Sequence, residues 1–212
     1  PTPTAVPPTT ETTPDPTDMP PPATADGVVI SEVLVGAEGN NNQDFVELYN
    51  ASETAVSLDG WSLWYHLRAD QEPELLYRWQ TAVDVPPLGH YLLRHERAEL
   101  ELMADAVFEV GLFDKGGLIL RNVDGSDVDV VGWGEAPDGA YMGAPTAAPE
   151  TGVSLERLPL GAAGNGQMSG DNATDFVVQG APNPQNTGSP PVPAPAAQLA
   201  LAVTVPETVT PG

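Results

Sequence analysis

The chain reads as an all-β protein, an antiparallel β-sandwich with extended proline-rich tails, and three observations predict it. Short runs of β-branched and aromatic residues alternate with polar ones at a period of two, turn residues recur between those runs, and only Glu96 to Ala104 has helix-forming composition. Short strands at such spacing, with a single weak helical candidate, argue for two packed antiparallel layers.

The elements follow in order. Gly27 to Val35 is a first strand, and the loop after it, through Asn40, Asn41 and Asn42, is rich in residues that accept left-handed backbone. Phe45, Glu47 and Tyr49 then alternate with Val46, Leu48 and Asn50, a strand with two distinct faces. Asn50, Ser52 and Glu53 break the pattern, Val56 and Leu58 resume it, and Asp59-Gly60 turns the chain into Trp61, Leu63 and Tyr65. Leu75 to Trp79 is the next strand, Pro86-Pro87-Leu88-Gly89 a turn, and His90 to His95 a strand with Tyr91 and Leu93 on one face. Glu96 to Ala104 is open between a short helix, too short to stand alone, and a loop-and-strand segment. Gly117 to Asn122 and Val128 to Trp133 flank Asp124-Gly125 as a hairpin, and Gly152 to Leu158 and Thr174 to Val178 complete the set.

Composition sets the organisation around these strands. Residues 1–26 are almost wholly Pro, Thr, Ala and acid, too poor in large apolar groups to offset the entropy of ordering, and are expected to be a stalk. Residues 27–188 carry enough apolar bursts for one sandwich, residues 189–197 are a Pro/Ala linker, and residues 198–212 hold one more strand-like segment. A chain that begins inside such a stalk is read as a piece of a longer one. The 212 residues contain 24 prolines, no cysteine, and seven basic against 30 acidic residues, a formal charge of −23. Within 27–188 there are 25 acids and all seven bases, so the domain itself stands at −18. Scattered Arg68, Arg78, Arg94, Arg97, Lys115, Arg121 and Arg157 make no patch that could displace counterions from a phosphate backbone, so no nucleic-acid partner is expected. The missing cysteines remove disulfides, thiol nucleophiles and thiolate metal sites, and no apolar run approaches the roughly 20 residues of a bilayer span.

Ile30-Ser31-Glu32, Phe45-Val46-Glu47-Leu48-Tyr49-Asn50, Leu58 with Gly60-Trp61, Pro87-Leu88-Gly89, Gly117 to Leu120, Asp124-Gly125, Ser154-Leu155-Glu156-Arg157 and Asp175-Phe176 ahead of Pro182-Asn183 together resemble a bacterial lamin-tail domain, from Val28 through Asn183. The resemblance implies an Ig-like sandwich that serves as an accessory module of secreted or surface proteins, sometimes beside hydrolases or nucleases, and it brings no catalytic residues. Nuclear lamin tails are linked to DNA and protein partners, and the acidic domain departs from the former. At the far end Leu199, Leu201, Val203 and Val205 alternate with small residues and resemble the first strand of tandem bacterial surface Ig-like repeats. They are expected either to belong to a following module or to pair with another copy, giving a homopolymer.

Candidate site residues are weighed one group at a time. Glu32 and Glu47 lie in apolar strands and are expected to be structural, either a half-buried pair satisfied by Arg121 or Arg157 or exposed on the outer face, with a functional acid pair as the alternative. His66, His90 and His95 have no metal-type spacing and read as strand-surface residues. Glu38 and Asp44 in the Asn-rich loop, with Asp124, Asp127 and Asp129 in the hairpin, offer the oxygen ligands of a calcium ion, although turn chemistry alone explains both loops. Trp64 and Trp79 are read as packing residues, with a sugar- or peptide-stacking platform as the alternative. The sequons at Asn50 and Asn172 are short patterns that arise by chance. Neither a GxSxG elbow nor a phosphate-binding GxxxxGK occurs, so no enzyme is expected. The expected function is a non-catalytic structural or assembly module, secreted or on a cell surface, whose partners are other protein modules or copies of itself. The alternative is a carbohydrate- or protein-binding module attached to an extracellular hydrolase or nuclease.

Overall fold

The computed structural model describes residues 25–192. The chain runs through β1 (Val28–Leu34), β2 (Phe45–Asn50), β3 (Val56–Ser57), β4 (Ser62–His66), β5 (Glu74–Arg78), β6 (Asp84–Val85), β7 (His90–His95), β8 (Ala106–Phe108), β9 (Gly116–Arg121), β10 (Asp127–Trp133), β11 (Ser154–Arg157), the single helical turn α1 (Asn172–Asp175) and β12 (Phe176–Gln179). They form a six-stranded sheet in the order β12-β11-β1-β2-β7-β8, a four-stranded sheet in the order β10-β9-β4-β5, and the small pair β3-β6. Every pairing is antiparallel except β7 with β8. Among the described residues no helix is long and apolar enough to cross a membrane. The stalk up to Thr24 and the strand-like segment carrying Leu199, Leu201, Val203 and Val205 lie outside the described residues.

The two large sheets face each other through one core. Val28, Ile30, Val33, Val46, Leu48 and Leu93 from the six-stranded sheet meet Leu63, Tyr65, Leu118, Leu120, Val131 and Trp133 from the other. Each fully buried Leu or Val contributes about 1.5–3 kcal/mol relative to leaving it in water, so the Ig-like sandwich rests on this layer. Trp79 closes one end, its ring edge-on to Tyr77 and Tyr91 at 5.1 and 5.8 Å.

Glu96 to Ala104 takes the loop reading of its two, a turn and a bend with no helix, in which Leu100, Leu102 and Ala104 pack over Leu34, Phe45 and Leu92 on the outer side of the six-stranded sheet. Two other parts of the chain differ from what its sequence suggests. Thr174, expected in a strand, sits in α1. The segment from Ser189, expected as a linker, stays on the sheet as far as buried Val192, whose N–H donates to the Leu88 carbonyl at 2.7 Å.

Gly117 and Gly132 let the chain around Ala140 lie directly on the β9–β10 hairpin. A Cβ at Gly117 would stand 1.9 Å from the Ala140 carbonyl oxygen, and one at Gly132 would stand 2.5 Å from it. Backbone cannot yield there as a side chain would. Gly117→Ala is therefore expected to lose about 2–3 kcal/mol of stability, read as a lower urea midpoint with an unchanged slope.

Candidate functional site

The site is built on a β-bulge. The β1–β2 register shifts between Ile30 and Glu32, so Ser31 is an extra residue in β1. Val28, Ile30 and Val33 all belong to the core, which the alternation of a strand allows only if Ser31 and Glu32 both face the outer side. Two neighbouring polar side chains are thereby placed on one face, opposite Glu47 on β2 and Glu156 on β11, which are the Cα partners of Glu32 on its two sides.

The result is a row of three carboxyl groups across adjacent strands, all at most 3% exposed. Glu47 accepts from the Ser31 hydroxyl at 2.5 Å and from the Gln185 N–H at 2.5 Å. Glu32 accepts from the Ser154 hydroxyl and from the Asn183 N–H at 3.2 Å. Glu156 accepts from the Gly161 N–H at 2.6 Å and from the side-chain amides of Asn165 and Gln179 at 3.2 and 3.0 Å. Asn165 also donates to the Arg157 carbonyl at 2.9 Å, which fixes its amide and turns its oxygen toward His90 Nε2 at 3.2 Å. His90 therefore carries its proton on Nε2.

Among the described residues no arginine or lysine pairs with this row. Burial pushes the Glu32 carboxyl up to about 7, helped by the charge of Glu156 and opposed by the Ser154 and Asn183 hydrogen bonds. Burial, with the charge of Glu32 beside it, raises Glu47 well above the ordinary carboxylate range. His90 is pushed down to about 4 by burial, against its bond to Asn165. Its 3.7 Å approach to Glu47 is thus a contact of neutral groups at mildly acidic pH and not an ion pair.

On the other side of the same strands lies a charged cross-link. The β1–β11 ladder runs only from Glu32↔Glu156 to Leu34↔Ser154, so Ile30 finds no strand partner on that edge. Asp129 of β10 accepts the Ile30 N–H at 2.8 Å, Arg157 Nε donates to the Ile30 carbonyl at 2.8 Å, and the two side chains pair at 2.6 Å with neither exposed. Arg157 further donates to the Gln167 carbonyl at 2.7 Å and lies 4.5 Å from the centre of the Phe176 ring. A second bulge makes this possible: the β9–β10 register shifts between Asp127 and Asp129, which leaves Asp127 outside on Arg121 at 2.7 Å and turns Asp129 into the core.

The sequence-predicted residues are distributed accordingly. Glu32 and Glu47 are neither paired with arginine nor exposed: Arg121 and Arg157 have other partners, and the outer face is covered by residues 181–192. His90 and His95 are buried, correcting their reading as surface residues; His95 is edge-on to Phe108 at 5.8 Å and bonds the Glu109 carbonyl at 3.0 Å, while His66 is half-buried. The calcium candidates are not brought together. Asp44 is buried, its oxygens accepting from the Gly36 and Leu112 N–H groups at 2.7 and 2.9 Å; Glu38 and Asp124 are exposed; and the second bulge separates Asp127 from Asp129. Among the described residues no group of three or more His, Asp and Glu has metal-holding geometry. Trp79 is in the core, and Trp64 is half-buried, with the Arg121 guanidinium 5.3 Å from its ring centre and its N–H on Ser62. Both sequon asparagines are fully buried, Asn50 donating to the Thr54 and Val85 carbonyls and Asn172 tying β10 to Met142. Glu156, Asn165 and the covering segment had no separate signal in the sequence, because they act only once the sheet is assembled.

Two measurements check this description. Arg157→Met leaves Asp129 buried without its partner and is expected to lose about 3–5 kcal/mol, while Arg157→Met with Asp129→Asn loses less, by chemical denaturation. For Glu32 the folded state retains a proton that the unfolded chain has released above the ordinary carboxyl value of 4.5, so stability falls as pH rises from there to about 7. The full effect is about 3 kcal/mol, at roughly 1.4 kcal/mol per pKa unit, and Glu32→Gln is expected to flatten the pH dependence of the urea midpoint.

The lamin tail domain family matches residues 21–135, from before β1 to just after β10, so β11, β12 and the covering segment lie beyond the match. No curated protein matches the chain. With more than half of its residues matched, and folded as an Ig-like sandwich, the chain belongs to the lamin tail domain family.

Proposed function

We propose that the chain is a non-catalytic structural or assembly module of a secreted or cell-surface bacterial protein, held between proline-rich spacers. The observation that carries this is the use of its buried polar groups. Asp44, Asp129, Asn50, Asn172 and the three-glutamate row all hold loops, sheets or the covering segment in place, and each is spent on protein partners rather than aimed at an open cleft. The targeting-module alternative needs a free aromatic platform, and Trp64 is instead covered by Arg121 and Trp79 is buried.

The surface best suited to assembly is the edge strand β12. Among the described residues it pairs only with β11, and Val177 and Val178, which point to opposite faces, are both exposed. The alternating residues Leu199, Leu201, Val203 and Val205 have the pattern of a strand that could be added there from a neighbouring copy, with main-chain hydrogen bonds supplying affinity. Light scattering tests this. The intact chain is expected to form oligomers that are lost on deleting residues 196–212 and weakened by Val178→Lys, whereas unchanged oligomers after the deletion reject strand addition.

A further inference from the structure

The segment from Ala181 to Val192 crosses the outer face of the six-stranded sheet and is attached in an unusual way. From Asn183 to Thr187 every second residue donates its backbone N–H to a carboxyl group below: Asn183 to Glu32 at 3.2 Å, Gln185 to Glu47 at 2.5 Å and Thr187 to Asp105 at 3.1 Å. The residues immediately before the first two donors are Pro182 and Pro184, which have no N–H to offer. The segment is thus a strap whose grip at its near end is on two buried acids that are neighbours across β1 and β2. Gly161 lies beneath it, close enough that a Cβ there would stand 2.9 Å from Gln185 Oε1. At the root of the strap, exposed Gly180 follows the last residue of β12 with no atom crowding its Cβ position.

We propose that this segment is a proton-held strap, closed over the sheet while Glu32 and Glu47 are neutral and lifted when they ionise. Two effects oppose each other. An N–H bonds a carboxylate more strongly than a carboxyl, which favours a closed strap after ionisation. Each acid, however, receives only one hydroxyl and one backbone N–H, too few to replace the water a buried anion loses, and two adjacent anions repel. The groups facing the pair offer no relief. They are Glu156 from β11, neutral His90 from β7, the hydroxyls of Ser31 and Ser154, Asn165, and the amides of the strap; Arg157 points the other way onto Asp129. Burial dominates the ionisation of both acids, and the strap is the part of that burial that can be removed without breaking a sheet hydrogen bond. Charge on Glu32 and Glu47 is therefore released by hydration through an opened strap.

Amide hydrogen exchange on the full chain tests the inference, with rates corrected for intrinsic pH dependence. Protection at Asn183 and Gln185 is expected to fall at least tenfold between pH 5.5 and pH 8, while Val46 and Leu48 in β2 stay protected. In Glu32→Gln with Glu47→Gln, and to a lesser degree in Glu32→Gln alone should the double variant not fold, strap protection is expected to be the same at both pH values. Equal protection of the wild-type strap at pH 5.5 and pH 8 would overturn the proposal. So would loss of strap and β2 protection in step, since the strap would then open only when the sheet does.

Discussion

The β1–β11 ladder ends at Glu32↔Glu156, which leaves the N–H and carbonyl of Ile30 in the buried seam between the sheets, and the Asp129–Arg157 pair receives both. A guanidinium and a carboxylate there do what two more residues of strand would have done, and they reach from β10 of one sheet to β11 of the other. Such a pair gains little over apolar packing of the same volume, yet it gives both main-chain groups of Ile30 a partner. Its geometry follows from two single-residue insertions in the ladders, at Ser31 and at Val128.

The same insertion at Ser31 governs the opposite face. With 25 acids and seven bases in the domain, arginine is scarce, and the one fully buried guanidinium is committed to Asp129. The row of Glu156, Glu32 and Glu47 is accordingly satisfied by hydroxyls, amides and main-chain N–H groups. Glu32 and Glu47, held in this manner, are pushed toward neutrality, so for these two the proton serves as the counterion that a lysine or arginine would otherwise supply.

What could be read from the sequence was whatever local pattern decides. β1, β2, β7 and the Asp124-Gly125 hairpin carry period two and turn chemistry strong enough to place them, and Trp79 carries enough apolar surface to be sent inside. Period two also decides Glu96 to Ala104, which the sequence left open between a helix and a loop: helix-forming residues there are overridden because Leu100, Leu102 and Ala104 find a sheet face to cover. The short β6 and the parallel β8, two and three residues long, are below the length at which a pattern exists. Burial of Glu32, Glu47 and His90 was illegible for a different reason. These residues sit on the face that alternation assigns to solvent, and their cover comes from residues 181–192, remote in sequence and themselves rich in proline, glycine and asparagine.

The prolines of that cover have a meaning for the open chain as well as the closed one. An extended segment with all its N–H groups free is a template on which another strand can form. Pro182 and Pro184 remove the donors from one side of the strap near its root, and the donors that remain lie on the side that faces the sheet. When detached, the strap can be solvated without offering a continuous ladder to a neighbour, so motion of this part of the surface is decoupled from the edge-to-edge association that exposed strands invite.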